Sequence, residues 1–290
     1  MPAAFETMIW RLAHGRELAL GPRGILMGIV NVTPDSFSDG GRFSGADDAV
    51  EAAMGMVADG ALILDVGGES TRPGAAAVDA GEEQRRVLPV IATLASRLAD
   101  RKDVVISVDT YRAETAHKAL LAGAHIINDV WGLQREPQIA EIAARFGAGV
   151  CIMHTGRGRD VLQDPVADQK AFLEASLEIA RAAGLDRDRI VLDPGFGFAK
   201  ETVEANVSLM RRFSELHQFG LPLLAGTSRK RFLGGLTGRE AAERDVATAA
   251  STAILRLAGA AIFRVHNVAI NRDALAVADA MIAPSETSAG

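Results

Sequence analysis

Ten side chains able to accept, donate or carry a proton stand at the ends of short apolar runs: Asn31, Asp65, Asp109, Asn128, His154, Asp193, Ser228, Lys230, Arg264 and His266. Taken singly, Asn and Asp are ordinary turn formers and helix caps, and Asp109 before Thr110 reads as readily as a cap as a functional group. Recurrence at corresponding positions is harder to explain by capping. Asp109, Asn128 and Asp193 bring acceptors and one amide donor pair, which suits a flat heterocycle carrying several N–H groups. Arg264, His266 and Asn31 bring donors, which suits an anion. Lys230 falls between the two sets.

These residues share a site only if the runs that carry them are parallel and adjacent. The runs are ILMGIVN, ALILDV, VVISVD, AHIIND, GVCIMH, RIVLDP, LPLLAG and AIFRVH, and Ala-rich amphipathic segments separate them, among them 47–59, 82–100, 167–183 and 243–258. Strict alternation of strand and helix implies parallel strands with right-handed crossovers, and eight such units close into a (β/α)8 barrel. In a barrel the active site lies at the C-terminal strand ends, where all ten residues fall. The first and last strands become neighbours, so Asn31, Arg264 and His266 form an anion site where barrels often hold phosphate. An open doubly wound sheet is the competing architecture, but no G-x-G-x-x-G follows the first strand and no Gly-Lys pair offers a P-loop. The expected organisation is α/β: an extension at 1–23 lying over the N-terminal end of the barrel, one barrel domain at 24–283, and a flexible tail at 284–290.

Two segments are too long for plain connections. GIVNVTPDSFSDGGRF begins as a strand and ends as a polar, Gly-rich loop after the first strand, and ESTRPGA follows the second. Loops of this length are uncommon in a compact domain unless functional, and both read as lids over the barrel mouth.

Composition limits the function classes. The chain has 290 residues, 48% of them hydrophobic, and a formal charge of −6. That balance gives no electrostatic footprint for nucleic acid or an anionic membrane, so small molecules are the expected partners. Cys151 is the only cysteine and stands in an apolar run, consistent with a reducing, cytoplasmic setting. The first residues read as neither signal peptide nor spanning helix, and segment 246–263 is interrupted by Arg256.

Blander readings apply elsewhere. Asp65 and Glu69 as an acid and base pair would suggest a glycosidase, but the anion-binding residues would then have no task. His154 has no second His or Cys at metal-ligand spacing. MHTGRGRD reads as a solvated, Arg-rich turn, Trp131 as packing beneath its loop, Asn267 as structural, and His14 and His217 as peripheral.

The motifs GIVNVTPDSFSDGGRF, DVGGESTRPGA, VDT, IIND, DPGFGFAK, TSRK and RVHNV occur together and in this order, and in this the chain resembles the dihydropteroate synthase family of pterin-binding enzymes. The resemblance runs from about residue 24 to 280. It implies a (β/α)8 barrel that joins 4-aminobenzoate to (7,8-dihydropterin-6-yl)methyl diphosphate with Mg2+ present, releasing diphosphate, in a homodimer. It further implies that Asp109, Asn128, Met153, Asp193, Phe198, Gly226 and Lys230 bind pterin. Asn31, Arg264 and His266 would hold diphosphate, with Asn31 also at the metal. Phe37, Thr71, Arg72, Pro73, Ser228 and Lys230 would form the 4-aminobenzoate site, and Asp109, Lys230 and Arg264 would be catalytic. Sulfonamides, as arylamine mimics, would compete. Two other classes differ in sequence. A corrinoid-linked methyltransferase on a related barrel would not need STRPG, and a non-catalytic pterin-binding paralogue would have lost a rim residue such as Arg264 or Lys230.

Overall fold

The structure, a computed structural model, describes residues 3–32, 44–69 and 78–283. Phe37, Thr71, Arg72, Pro73, most of both expected lids and the tail lie outside the described residues.

Ten strands are described: β1 Met8–Arg11, β2 Glu17–Leu20, β3 Ile25–Asn31, β4 Ile63–Gly67, β5 Val105–Asp109, β6 Ile126–Asp129, β7 Gly149–Met153, β8 Ile190–Asp193, β9 Leu224–Ala225 and β10 Ile262–Val265. The α-helices are α1 Ser44–Asp59, α2 Ala80–Arg97, α3 Ala113–Leu121, α4 Gln138–Phe146, α5 Pro165–Ala182, α6 Val203–Arg211, α7 Arg231–Thr237, α8 Asp245–Leu257 and α9 Val268–Ile282. Strands β3 to β10 form one parallel sheet in the order β8-β7-β6-β5-β4-β3-β10-β9. A parallel bridge between Leu192 and Leu223 joins its two edges, with the Leu192 amide donating to the Pro222 carbonyl at 3.0 Å. The barrel is thereby closed.

The expected strands are present, most of them shorter by a residue or two. LPLLAG is the weakest, reduced to Leu224–Ala225, because Pro222 has no N–H for a ladder and can only accept. Helix starts follow caps rather than hydrophobic onset. Asp79 accepts from the Glu82 amide at 2.8 Å and starts α2, and Asp164 does the same for α5 ahead of Pro165. Glu243, expected to open the helical segment 243–258, instead ends a separate 3-10 turn at 241–243 with a capping box of Glu240 and Glu243, and α8 starts at Asp245.

Side chains alternate across each strand, so two faces explain two clusters. Leu64, Val66, Ile106, Val108, Ile127, Val150, Ile152, Leu192 and Val265 pack outward against the helices. Met27, Ile63, Val105, Ile126, Cys151, Val191, Leu224 and Ile262 fill the interior near the strand starts. Trp10, Leu12, Leu18 and Leu20, from the β1–β2 hairpin, join this inner cluster and stopper the N-terminal end. The Trp10 indole donates to the Arg189 carbonyl at 2.9 Å. A Cβ at Gly149 would meet the Leu12 side chain and stand 3.1 Å from the Trp10 ring, so only glycine admits the plug at this point. Two residues further along β4, β5, β6, β8 and β10 the same interior face becomes polar, at Asp65, Ser107, Asn128, Asp193 and Arg264.

Candidate active site

The polar layer begins with a bridge across the barrel. Arg264 on β10 donates through Nε to Asp65 on β4 at 2.6 Å and through Nη2 to Asp109 on β5 at 2.6 Å. Asn128 on β6 donates its amide to the same Asp65 oxygen at 3.0 Å. Asp65 is completely buried, and its Oδ1 has no hydrogen-bond partner among the described residues. Two carboxylates share one guanidinium. Burial pushes Asp109 up, Arg264 pulls it down, and the neighbouring Asp65 pushes it up again; raised is the net direction. The Asp65 contact uses the Asn128 amide nitrogen, which leaves Oδ1 as its acceptor for a ligand. Asn31 lies in the same row of the sheet, since it pairs in register with Gly67, Gly67 with Asp109, and Asp109 with Asn128.

A second group lies on β8 and the loop that follows. Asp193 is buried, and its Oδ1 accepts from the Gly195 amide at 2.7 Å. Burial raises its carboxyl, against the pull of Lys230. Lys230 donates to the Phe196 carbonyl, and its ammonium stands 4.5 Å from the centre of the Phe198 ring. Burial lowers Lys230 to about 7, so its charge is poised near neutrality. Gly226 sits between these groups: a Cβ there would lie 3.7 Å from Asp193 Oδ2 and 3.9 Å from Lys230 Nζ. Met153 is buried with Tyr111 and Val130, and Trp131 and Phe198 pack on them, so Met153 and Phe198 share one apolar wall. Ser228 and His266 form a third group, with Ser228 Oγ 2.8 Å from His266 Nδ1 and accepting from the His266 amide at 3.1 Å.

The structure thus brings Asp109, Asn128 and Arg264 into direct contact through Asp65, and groups Asp193, Gly226, Lys230 and Phe198 around a shared position. Asp65 was foreseen as a rim residue but not as the hub. Its signal was available: it is two residues beyond Ile63, hence on the interior face. Glu69 is not its partner, because it accepts from Tyr111 at 3.1 Å and pairs with Arg112 at 2.8 Å. The reading of MHTGRGRD as a solvated turn is corrected. Arg157 stacks on the Phe198 ring at 4.7 Å, and Arg159 pairs with buried Asp168 at 2.6 Å. His154 is not in a metal cluster: among the described residues no group of three or more His, Cys, Asp or Glu is placed to hold one. Its Nε2 lies 2.8 Å from Asp168 and its Nδ1 3.0 Å from Lys200. Trp131 packs edge-on against Tyr111 at 6.3 Å, and Asn267 caps α9 and bonds Asp245 at 3.0 Å.

A closed parallel barrel with a buried acceptor set and two cations at its C-terminal mouth defines a barrel enzyme for a flat, polar heterocycle that carries or meets an anion. The sequence matches the family described as pterin binding enzyme over residues 27–266, and the chain belongs to that family. It is 45% identical over 254 residues to the dihydropteroate synthase of Streptococcus pyogenes, covering 87% of this chain and 93% of that protein. The Xanthomonas albilineans dihydropteroate synthase with 4-aminobenzoic acid superimposes with a TM-score of 0.88 at 42% identity, covering 96% of this chain and 100% of that one. The same organism's enzyme in complex with 7,8-dihydropteroate gives 0.84 at 40% identity, covering 94% and 99%.

Proposed function

We propose that this protein is a dihydropteroate synthase, a transferase that joins (7,8-dihydropterin-6-yl)methyl diphosphate to 4-aminobenzoate and yields 7,8-dihydropteroate and diphosphate. The observation that carries the reading is the layered interior, in which Asp193, Asn128 and Asp109 sit deep beside Lys230 and Arg264. Asp193 and the Asn128 carbonyl accept the pterin N–H groups, and Met153, Phe198 and Gly226 bound the slot. Arg264, His266 and Asn31 hold the diphosphate; the two carboxylates use two of the five N–H donors of Arg264, leaving three for phosphate oxygens.

As the methylene C–O bond breaks, the electron pair leaves with diphosphate. Asp109, beside the ring, stabilises the positive charge that develops on the pterin methylene. The arylamine then forms the C–N bond and loses a proton. Lys230 touches both rings, and Ser228 completes the 4-aminobenzoate side; Phe37, Thr71, Arg72 and Pro73, assigned to the same side, lie outside the described residues.

Mg2+ fits as an ion brought by the diphosphate. Asn31 offers a single amide oxygen, and Mg2+ commonly takes few protein ligands together with substrate phosphates and water. When bound it neutralises charge on the leaving group. Val246, Ile254 and Leu257 on α8 and Val277 and Met281 on α9 are exposed apolar residues on packed neighbouring helices, and a second copy of the chain covers them in the proposed homodimer. No described helix is long and apolar enough to cross a membrane, and a cytoplasmic location is proposed. Sulfonamides, as arylamine mimics, should compete with 4-aminobenzoate. The deciding experiment is diphosphate release from the pterin substrate with and without 4-aminobenzoate. Release that depends on 4-aminobenzoate and tracks dihydropteroate formation is expected; no release with both substrates and Mg2+ present refutes the assignment.

A further inference from the structure

We propose that Lys200 is a positioning residue for the pterin site, its ammonium pinning the carbonyls that shape loop 195–198 and thereby setting Asp193, Lys230 and Phe198. The inference rests on the synthase reading for the identity of the ligand, and on geometry alone for the device.

Lys200 lies at the end of the loop that leaves β8, and the chain turns back so that its side chain runs beneath that loop. Nζ donates to the Gly195 carbonyl at 2.8 Å and to the Phe198 carbonyl at 3.3 Å, and reaches His154 Nδ1 at 3.0 Å. The residue is 8% exposed. Every part of the loop it grips has a task in the site. The Gly195 amide orients the Asp193 carboxylate, the Phe196 carbonyl receives Lys230, and the Phe198 ring is in contact with both Lys230 and Arg157. The backbone cannot hold this shape by itself. Gly195 and Gly197 have φ of +60° and +76°, and Ala199, with a side chain, has +54°. The two glycines adopt this conformation freely and so do not fix it, and at Ala199 it stays in place only where surrounding contacts hold it.

The anchor below the loop is equally well defined. His154 faces Asp168 at 2.8 Å, and Asp168 in turn receives Arg159 and the Leu162 amide, at 2.6 and 2.9 Å. Burial would raise Asp168, but Arg159, the Leu162 amide and His154 hold it well below the usual carboxylate range. Burial, with Lys200 next, lowers His154 to about 3, so the ring is neutral. Nε2 faces both Asp168 and, also at 2.8 Å, the Arg159 guanidinium; with the single N–H of the neutral ring on Nε2 toward Asp168, Nδ1 is left to accept the lysine N–H. Asn206 closes the far side by accepting from the Gly197 amide and donating to the Lys200 carbonyl, both at 2.8 Å. Among the described residues no carboxylate touches Lys200 directly. Burial, with Lys230 next, lowers Lys200 to about 7 while Asp193 and Asp168 pull it up, so an amine kept at this depth is unfavourable for stability alone, which argues for a role in shaping the site.

The test compares Lys200→Met, which keeps the stem and removes the donors, with Lys200→Gln, which restores one donor without charge, and Lys200→Arg, which restores charge and several donors. For each variant retaining the parental circular dichroism, pterin affinity is measured by calorimetry, and KM for pterin diphosphate and for 4-aminobenzoate, with kcat, by diphosphate release. The expected result is a pterin Kd and a pterin diphosphate KM raised at least about tenfold in Lys200→Met. The KM for 4-aminobenzoate at saturating pterin diphosphate should rise through Lys230 alone and so by less than the pterin diphosphate KM, with partial recovery of both in Lys200→Gln or Lys200→Arg. A merely structural lysine would lower the melting temperature and leave the two KM values in their original ratio; that outcome, or an unchanged pterin Kd, overturns the proposal. If Lys200→Met does not fold, the same split read in Lys200→Gln decides. The parental enzyme, assayed alongside, separates failure of this proposal from failure of the synthase reading.

Discussion

Replacing Arg264 by Met removes the cation that Asp65 and Asp109 share at 2.6 Å each, and leaves two buried carboxylates facing one another. Breaking a buried pair by deleting one partner destabilises by about 3–5 kcal/mol, and here two anions lose the same partner, so the upper end applies above neutral pH. Protonation relieves part of that loss. Burial and Asp65 already push Asp109 up, and Arg264 is the largest influence holding it down. In the variant its folded-state pKa must rise further above the unfolded value. A carboxyl raised in this way contributes stability that is complete below the unfolded pKa and is lost as pH rises through the folded one. Relative to the parent, Arg264→Met should therefore lose stability with rising pH at up to about 1.4 kcal/mol per pH unit, the slope for one extra bound proton. Urea unfolding followed by circular dichroism at about pH 5.5 and about pH 8 measures both quantities. A difference between variant and parent that is the same at the two pH values, or smaller than about 1 kcal/mol at the higher one, would show that the three side chains do not form the coupled buried cluster described.

Three further outcomes are expected. Asp193→Asn turns a charge-assisted acceptor into an amide and should weaken pterin binding by about tenfold or more in calorimetry, the equivalent of roughly 1.5–3 kcal/mol for a hydrogen bond to a charged group; unchanged affinity would remove Asp193 from the pterin edge. Gly195→Ala places a methyl group against the His154 carbonyl at φ +60°, so the variant should lose pterin affinity together with several degrees of melting temperature, and wild-type behaviour in both would contradict the loop geometry. Trp10→Ala removes the largest fully buried side chain of the barrel plug and should destabilise by about 3–5 kcal/mol in urea unfolding while sparing ligand affinity in whatever fraction remains folded.

The barrel was legible because its signal is repeated: each strand carries its own apolar run and its own polar terminus, so an error in one does not disturb the count. The termini Asp109, Asn128, Asp193 and Arg264 were legible for the same reason. What escaped was pairing across elements. Nothing in GRGRD reveals that Arg159 meets Asp168 on the next helix or that Arg157 lies on Phe198, because cation–π stacking and ion pairs leave no period in the chain. Lys200 was invisible by type, since a lysine beside a glycine-rich loop reads as exposed until the turn back beneath that loop is seen. Asp65 was visible, but its neighbour Glu69 drew attention along the chain, whereas its partner stands 199 residues away.

The hairpin carrying Trp10 makes the barrel a blind well with traffic through one door. Whatever occupies the layer of Asp193 and Asn128 must arrive before anything seated nearer the mouth and depart after it. A compound that lodges above a bound pterin therefore imprisons it without touching its hydrogen bonds, and dissociation slows although the contacts below are unchanged. Release of the deeper ligand should then depend on the concentration of the shallower one, a kinetic signature that an open-ended barrel with the same side chains would lack.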